Sequence, residues 1–551
     1  MSSRIARAFA AALARIHDAR GAGADAHGGA GADARDALVA TAERVWDAAR
    51  DGHVCVRVEG EPERGALAAS PAVSVDARAR AAPLVLDAGR AYLYRLHRAE
   101  GRLAESAAAL DDAAPLASAR HTERVLESLY PSEGADPAQR RAVATALSRR
   151  LALVSGGPGT GKTTTLARLV LAVSALAPQA RIALAAPTGK AAARLSQSLS
   201  AELRAASAAS GAEQAQLPAG VTVHSLLGLR GQPAGDSAQV GPALAFDLVI
   251  VDEASMLDIE LASALAQRIG PGARLVLAGD MDQLASVEAG AVFAELCAAG
   301  LGGVARLERN YRQQQGAGIV ELAAAVREGA PVDAIAAALG DRVSHAENPA
   351  EIAAHALERY APALDALESG AAPGEVLERY ERFRVLCALR EGPRGVRAIN
   401  ALVAAAARRR AGEPAQSQWY PGRLVMVARN DRETGLFNGD VGVCVDGQTV
   451  AFAAAEGGVR SVPVLLMPAC EDAWAITVHK SQGSEFDSIA FVAPPEGHPL
   501  ATRELVYTAI TRARNSLRIW GSAQAVAAAS ATRVVRDGRL AERVIEHLKG
   551  R

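Results

Sequence analysis

The stretch LALVSGGPGTGKT, residues 151–163, joins a short apolar run to a glycine-rich loop that ends in lysine and threonine. The apolar run predicts a buried β-strand, and a helical pattern begins near Lys162. The loop fits the pattern G-x-x-x-x-G-K-[ST], in which glycines let backbone N–H groups approach phosphates and the helix N-terminus adds positive potential. The alternative is a glycine-rich turn with a chance lysine, and both flanking elements argue against it.

The loop as a whole is therefore a predicted nucleotide-binding site. We expect the Lys162 ammonium to contact the β- and γ-phosphates of ATP, and the Thr163 hydroxyl to bind Mg²⁺. The predicted nucleotide-binding residues of the loop are Gly156, Gly157, Pro158, Gly159, Thr160, Gly161, Lys162 and Thr163.

Similar apolar runs recur downstream and predict parallel sheets. Continuous apolar strands separated by helices are typical of parallel sheets that are covered on both faces. Such runs lie at residues 182–186, 248–251 and 275–278 in a first unit, and at 383–388 and 488–492 in a second unit. Between about residues 420 and 467, short β patterns alternate with Gly-Asp and Asp-Gly turns, which predicts a small antiparallel β-barrel inserted into the second unit.

These patterns predict an α/β protein of several domains, because 551 residues are too many for one hydrophobic core. The predicted segments are a mainly helical N-terminal accessory domain for partner binding (1–130), a first lobe (131–330), the start of a second lobe (331–419), the inserted barrel (420–467) and the remainder of the second lobe (468–551).

The composition excludes few functions but narrows the class of protein. The chain carries 60 basic and 61 acidic residues, whereas a protein that coats duplex DNA usually has a strong basic excess. Single-strand binding in a local channel is compatible with this balance. The five cysteines form no CxxC pair, which argues against a zinc or iron–sulfur site. Without a long apolar run or a signal-peptide pattern, a soluble cytoplasmic protein is expected.

An acidic pair and a glutamine follow two of the predicted strands. Asp252 is expected to hold Mg²⁺ through water, and Glu253 to polarise the attacking water. An acidic pair after a strand is more often a helix cap, and the phosphate loop upstream favours the catalytic interpretation. Gln283 is placed against the γ-phosphate, able to sense its loss, although an ordinary turn is the alternative.

Two further pairs of residues are candidates for binding the adenine base and the transferring phosphate. The Gln139 amide is expected to bind the adenine edge, with a solvated glutamine as an equal alternative, and the Tyr311 ring to stack on adenine. Arg312 and Arg512 are candidates for the γ-phosphate, because a bidentate guanidinium suits charge that spreads over a phosphoryl group. Arginines on helices are also commonly solvated, so each one alone is ambiguous.

Residues 474–486 mix hydrogen-bond donors, a glycine and aromatic rings. Thr477, His479, Lys480 and Ser481 are candidates for contacts to DNA phosphates, and Glu485 for the ribose hydroxyl. A structural histidine and a core tryptophan are the alternatives for single residues of this strip.

Taken in chain order, these motifs resemble the complete series of superfamily 1 helicases. The series consists of Gln139, the loop at 156–163, residues 186–192, residues 222–228, Asp252-Glu253, residues 279–283, Tyr311-Arg312, residues 478–483 and residues 511–513. Within that superfamily, the stretches 386–393 and 436–442 are similar to segments peculiar to the RecD family, the alpha subunits of exodeoxyribonuclease V. The stretch 83–87 with Tyr92-Leu93 is similar to RecD as well.

This resemblance implies two RecA-like lobes with ATP between them, and 5′→3′ movement on single-stranded DNA. It also implies a heterotrimer with RecB-like and RecC-like subunits that processes duplex ends, with the nuclease centre on the beta subunit. By family analogy Lys162, Thr163, Asp252 and Glu253 serve hydrolysis, Gln283 senses the nucleotide, and Arg312 and Arg512 contact the γ-phosphate. Thr188, His224 and Thr477 become DNA contacts on the same ground.

Two other functions compete with a motor subunit of a recombination nuclease. A stand-alone RecD-like helicase usually carries a longer N-terminal extension with helix-hairpin-helix repeats, and none is recognisable before Tyr130. A mainly structural subunit, whose ATP site only regulates assembly, is disfavoured by the intact set of hydrolysis residues.

Overall fold

The structure is a computed structural model that describes most of the chain. The described residues are 3–21, 30–76, 80–131, 136–210, 218–229, 241–311, 318–344, 348–431, 433–454 and 458–551, without the side chains of 20–21, 30–33 and 205–210. No helix within these ranges is long and apolar enough to span a membrane.

The N-terminal region combines helices with a small four-stranded sheet. Its elements are α1 (Arg4–Gly21), α2 (Ala30–Arg50), β1 (Cys55–Arg57), α3 (Glu61–Ala68), β2 (Val73–Ser74), β3 (Leu84–Asp87), β4 (Arg90–Leu93), α4 (Tyr94–Leu110) and α5 (Ala119–Leu129). The strand order is β1-β4-β3-β2. Ala88 and Gly89 form the two-residue turn between β3 and β4 and both have positive φ, 49° and 72°, as the favoured tight hairpins require.

The first lobe is built around a six-stranded parallel sheet. Its elements are α6 (Pro137–Ser148), β5 (Leu151–Gly156), α7 (Lys162–Leu176), β6 (Ile182–Ala186), α8 (Gly189–Ser210), β7 (Val221–Thr222), α9 (Val223–Leu226), β8 (Leu248–Val251), α10 (Ile259–Gln267), β9 (Arg274–Gly279), α11 (Val292–Ala298) and β10 (Val304–Leu307). The strand order β10-β5-β9-β8-β6-β7 places β5 and β8 on either side of β9, so the loops after these three strands meet at one edge.

The second lobe is interrupted by an inserted sheet. The elements before the insertion are α12 (Ile319–Glu328), α13 (Val332–Leu339), β11 (Val343–Ser344), α14 (Pro349–Glu368), α15 (Pro373–Glu381), β12 (Phe383–Cys387) and α16 (Val396–Arg410). The inserted strands are β13 (Leu424–Val427), β14 (Val441–Cys444), β15 (Thr449–Ala453), β16 (Val459–Pro463) and β17 (Cys470–Asp472). The elements after the insertion are β18 (Ala475–Thr477), β19 (Phe486–Val492), α17 (Arg503–Ile510), β20 (Ala513–Trp520), α18 (Ala523–Ala531) and α19 (Leu540–Lys549).

The sheet of the second lobe is parallel, whereas the inserted sheet is antiparallel. The strand order of the second lobe is β11-β20-β19-β12-β18, and that of the insertion is β16-β15-β14-β13-β17. Within the described residues no ladder joins the two edge strands β16 and β17, so the closure of the predicted barrel is not confirmed. The insertion nevertheless has its own small core, which includes Val425, Val450 and Phe452.

The last helix, α19, packs on the N-terminal region. The sequence analysis grouped α19 with the second lobe, in the segment 468–551, and did not predict its contact with α4. Its apolar residues Leu540 and Val544 are buried in a core shared with α4, and Arg543 Nε lies 2.9 Å from the buried carboxylate Oε2 of Glu100. An amphipathic pattern shows that a helix has a buried face but not which element covers that face, so the sequence did not indicate this contact.

The N-terminal region and the first lobe share one hydrophobic core. Leu103 and Leu110 of α4 pack in the same cluster as Leu261 and Leu265 of α10. The N-terminal region is therefore fixed to the first lobe rather than tethered to it, and its removal would expose apolar surface of the first lobe.

Candidate active site

The phosphate loop lies between the end of β5 and the start of α7. Gly159 and Gly161 have φ of 80° and 82°, a backbone conformation that glycine adopts without steric cost. Lys162 Nζ donates hydrogen bonds to the backbone carbonyls of Gly156 and Gly157, the latter at 3.1 Å. The lysine ammonium is thus held inside the loop, where phosphate oxygens are expected to replace the carbonyls.

Gly161 is a loop position that should tolerate substitution poorly. A Cβ at this residue would clash with Nε2 of Gln139, whose amide is held by Arg168, and positive φ is itself unfavourable for alanine. We expect Gly161→Ala to weaken binding of a fluorescent ATP analogue by roughly tenfold or more, since Gln139 and the loop must both shift.

The matched control for this substitution is Gly370→Ala. Gly370 also has positive φ, 77°, but a Cβ there would meet no atom within 4 Å. Both variants should lower the thermal midpoint, whereas only Gly161→Ala should weaken the nucleotide complex. Equal nucleotide affinity of the two variants would contradict the proposed position of the phosphate loop in the site.

The acidic pair follows β8. The backbone N–H of Glu253 donates to Oδ1 of Asp252 at 2.9 Å, and Glu253 itself has a left-handed backbone with φ 54°. A non-glycine residue in this conformation is strained by about 1–3 kcal/mol, which is characteristic of functional sites. Burial and the neighbouring Glu253 raise the pKa of Asp252 to about 6. A bound cation beside the two carboxylates would relieve this repulsion.

A buried hydrogen-bond chain joins the two lobes at Gln283. Gln283 Nε2 donates to Oδ2 of Asp280 at 2.8 Å, and Gln283 Oε1 accepts from the Arg512 guanidinium at 2.9 Å. Arg512 is 2% exposed and also donates to the backbone carbonyls of Ser484 and Thr508. Gln283 and Arg512, which were predicted separately as phosphate-sensing and phosphate-binding groups, are therefore direct partners in this structure.

The other end of the site contains Gln139 and Tyr311. Gln139 Oε1 accepts from the Arg168 guanidinium at 3.1 Å, and Gln139 is buried at the start of α6. The Tyr311 hydroxyl donates to Asp136 Oδ2 at 2.6 Å, while its backbone N–H donates to the Gly159 carbonyl at 2.9 Å. Tyr311 thus stands beside the phosphate loop and is 47% exposed, with the Arg309 guanidinium 5.1 Å from the centre of its ring, and a base could stack on the ring.

Glu485 of the second lobe also reaches the first lobe. Its Oε2 lies 3.3 Å from the Arg194 guanidinium on α8 and 3.2 Å from that of Arg514, and Arg194 also donates to the Gly483 carbonyl. Glu485, the candidate for binding the ribose hydroxyl, is therefore paired with one arginine from each lobe.

These groups line one cavity of about 510 Å³ between the lobes. Its walls include the predicted residues Gln139, Gly157, Pro158, Gly159, Gly161, Lys162, Thr163, Asp252, Glu253, Gln283, Tyr311, Glu485 and Arg512. Gly156 and Thr160 support the loop from behind, where the Thr160 hydroxyl donates to the Gly157 carbonyl at 2.8 Å. Arg312 lies outside the described residues, and its predicted position is not tested.

Comparisons with known proteins place the chain in a family. Residues 134–348 match the family described as AAA domain, and residues 472–520 match the UvrD-like helicase C-terminal domain. The RecBCD enzyme subunit RecD of Mycobacterium tuberculosis is 39% identical over 493 residues, which cover 85% of this chain and 84% of that protein.

The chain belongs to the RecD family. Another member, RecBCD enzyme subunit RecD of Mycolicibacterium smegmatis, is 40% identical over 420 residues, which are 74% of each chain. The ATP-dependent RecD2 DNA helicase of Deinococcus radiodurans is 32% identical over 466 residues, covering 83% of this chain and 59% of that protein. Membership confirms the resemblance seen in the motifs, and the predicted α/β fold of two parallel-sheet lobes is confirmed with it.

The DNA-contact candidates of this RecD-family chain do not line the cavity between the lobes. Thr188 follows β6, where its hydroxyl accepts a hydrogen bond from the Ala191 backbone N–H at 3.2 Å. His224 lies on α9, and Thr477 ends β18 with its hydroxyl accepting from the Lys480 N–H at 3.3 Å. Burial lowers the pKa of His479, so its imidazole is neutral at pH 7. Thr188, His224, Thr477 and His479 all lie near the carboxyl ends of strands. None of them is among the residues that line the cavity around the phosphate loop.

Four residues of the site carried no predicted role. Asp136 and Arg168 hold Tyr311 and Gln139, Arg194 pairs with Glu485, and Tyr507 donates a hydrogen bond to Asp280. Asp136 had a local signal, because aspartate before proline is typical of a helix start, and it does cap α6. The other three act through partners that are distant in sequence, so no local pattern marks them.

Proposed function

We propose that this RecD-family chain is an ATP-driven DNA helicase that moves 5′→3′ as the motor subunit of a RecBCD-type helicase–nuclease. The processing of DNA ends in double-strand break repair by homologous recombination is the proposed context. One observation carries the motor assignment. The phosphate loop and acidic pair of the first lobe face Arg512 of the second lobe across one cavity. A nucleotide in that cavity would be held by both lobes, so binding and hydrolysis would change their separation.

The residues present fit ATP and Mg²⁺. The glycines of the loop let its backbone N–H groups approach a phosphate chain, and the half-buried carboxylates next to it are oxygen ligands of the kind Mg²⁺ prefers. In the proposed assignment Thr163 and Asp252 hold Mg²⁺, which neutralises phosphate charge when bound. Glu253 orients and deprotonates the attacking water, and Lys162 stabilises charge on the transferring phosphoryl group.

The proposed nucleotide contacts of the base and sugar come from both lobes as well. Gln139 binds the adenine edge and the Tyr311 ring stacks on adenine, while Glu485 accepts a hydrogen bond from the ribose. Arg512, with Arg312, supplies guanidinium donors to the γ-phosphate. Loss of that phosphate would remove the anion that draws Arg512 towards the first lobe, and Gln283 is placed to report the change because it already contacts Arg512.

Single-stranded DNA is proposed to cross both lobes near Thr188, His224, Thr477 and His479. A neutral His479 and two threonine hydroxyls suit hydrogen bonds to phosphate oxygens without a large basic surface, in keeping with the net charge of −1. Alternate tightening of contacts on the two lobes would then convert cleft closure into movement along the strand.

RecB-like and RecC-like subunits are the proposed partners, and the N-terminal region is their proposed docking site. Support comes from relatives described as RecBCD enzyme subunits, which match over most of their length. The alternative is a stand-alone helicase like RecD2, of which this chain covers 59%.

Co-expression with the RecB-like and RecC-like chains of the same genome separates the two functions. We expect a stable heterotrimer whose unwinding of a duplex with a 5′ single-stranded tail requires an intact Lys162 in this subunit. The control duplex carries a 3′ tail and the control complex has an inactivated RecB-like motor. Unwinding by this subunit from the 3′ tail would contradict the proposed polarity, and failure to co-purify would favour the stand-alone alternative.

A further inference from the structure

The second lobe touches the phosphate loop through Tyr507, a residue of α17 that is 4% exposed. A Cβ on Gly157 would lie 2.7 Å from the Tyr507 hydroxyl oxygen, so the hydroxyl packs directly on the loop backbone. The same hydroxyl donates a hydrogen bond to Oδ2 of Asp280 at 3.1 Å. Burial and the nearby Asp280 raise the pKa of Tyr507 well above its usual value, which keeps the phenol protonated as a donor.

Asp280 is the point where three donors of the site converge. Its Oδ2 accepts from both Tyr507 and Gln283, the latter at 2.8 Å, and its Oδ1 accepts from the Asp282 backbone N–H at 3.1 Å. The carboxylate is 2% exposed, so solvent cannot replace a donor that is lost. The orientation of the Gln283 amide therefore depends on a carboxylate that Tyr507 helps to hold.

Tyr507 and Arg512 belong to the same short segment of the second lobe. Arg512 follows α17 by two residues and donates to Oε1 of Gln283 at 2.9 Å. The two side chains therefore lie at opposite ends of one chain of hydrogen bonds. It runs from Tyr507 to Asp280, from Asp280 to Gln283, and from Gln283 to Arg512. A second contact beside it, from the Leu284 N–H to the Thr508 hydroxyl at 2.9 Å, keeps α17 against the first lobe.

We propose that Tyr507 is a positioning residue for ATP hydrolysis, which sets the Gln283–Arg512 pair by holding Asp280 against the phosphate loop. This inference rests on the proposed function of the site. The Tyr507 hydroxyl contacts Gly157 and Asp280 rather than the side chains proposed to act on the transferring phosphate. Its hydroxyl fixes where the second lobe docks on Gly157, and this docking determines how far the Arg512 guanidinium stands from the phosphoryl group in the closed cleft.

The consequence is an effect on turnover rather than on nucleotide affinity. Tyr507 meets the phosphate loop at the Gly157 backbone, whereas the side chains proposed to bind ATP in the ground state, those of Lys162, Thr163 and Gln139, form no hydrogen bond with it within the described residues. Removal of the hydroxyl should therefore leave the KM for ATP within about twofold and lower kcat by about tenfold, the change that a small displacement of a catalytic group produces.

The test is DNA-stimulated ATP hydrolysis by Tyr507→Phe in the full chain, together with Asp280→Ala and the double variant. The matched control is Tyr380→Phe, because the buried Tyr380 hydroxyl donates to the Gly422 carbonyl at 2.9 Å elsewhere in the second lobe. If Tyr507 acts through Asp280, the double variant should have the kcat of Asp280→Ala alone. Thermal midpoints of the two tyrosine variants should fall by similar amounts.

Three outcomes would overturn the inference. These are a kcat of Tyr507→Phe within twofold of that of Tyr380→Phe, a raised KM with unchanged kcat, and a further loss of kcat when Tyr507→Phe is added to Asp280→Ala. Absence of ATP hydrolysis in the unaltered chain would overturn the proposed function as well, so the two failures are distinguishable.

Discussion

Lys162→Gln should reduce ATP hydrolysis on the order of a thousandfold while the chain remains folded. The ammonium is the positive charge that the phosphate loop encloses, between the carbonyls of Gly156 and Gly157. Glutamine preserves much of the length but offers no charge to the developing negative charge on the phosphoryl oxygens. A thousandfold loss corresponds to about 4 kcal/mol of transition-state stabilisation, in the range expected for one such group in a protected site.

The measurement is the steady-state ATPase rate at saturating single-stranded DNA, with Lys549→Gln as the control. Lys549 is an exposed lysine at the end of α19, so the control removes the same charge far from the cavity. Its ATPase rate should match that of the unaltered chain. A normal ATPase rate of the Lys162→Gln variant would contradict the assignment of the phosphate loop to the ATP site.

Arg512→Lys should lower the rate of hydrolysis by about 10³-fold or more, with a small change in nucleotide affinity. Arginines that enter a phosphoryl-transfer site from a second domain contribute roughly 10³–10⁵ in kcat. Lysine keeps the charge but cannot present the planar fork that now contacts Gln283 and Ser484. Because most of the proposed ground-state contacts to the nucleotide come from the first lobe, the main loss should fall on turnover.

Single-turnover hydrolysis, with fluorescence-monitored nucleotide binding in parallel, distinguishes these effects. Arg518→Lys is the matched control, since Arg518 lies on β20 of the same lobe, is exposed, and donates to the Ser344 hydroxyl. Loss of nucleotide binding without loss of the chemical rate would assign Arg512 to ground-state binding only.

Local sequence patterns were sufficient for the phosphate loop and the buried strands. The run at 151–154 is apolar throughout because both faces of β5 are covered, and the glycines that follow it mark where the backbone turns towards a ligand. Both features depend on neighbours within a few residues. The alternation of short strands and glycine turns at 420–467 likewise predicted antiparallel pairing, but strand closure depends on register between the first and last strands, which no local pattern specifies.

Contacts between residues that are far apart in the sequence could not be predicted from local patterns. Gln283 and Arg512 are 229 residues apart and Tyr507 and Asp280 are 227 apart, and each pair forms only when two lobes dock. The sequence suggested phosphate roles for Gln283 and Arg512 one by one and gave no sign that they contact each other. The contact of α19 with α4 was unpredictable for the same reason, since it brings Leu540, Val544 and Arg543 against residues more than 400 positions earlier in the chain.

The structure of the chain bound to Mg²⁺ and ADP–aluminium fluoride, a mimic of the transferring phosphoryl group, tests the central claim most directly. The account predicts that the fluoride ligands lie within hydrogen-bond distance of both Lys162 and Arg512, with the cleft narrowed around them. A complex in which the first lobe alone holds the nucleotide, while Arg512 keeps all its present partners, would contradict it.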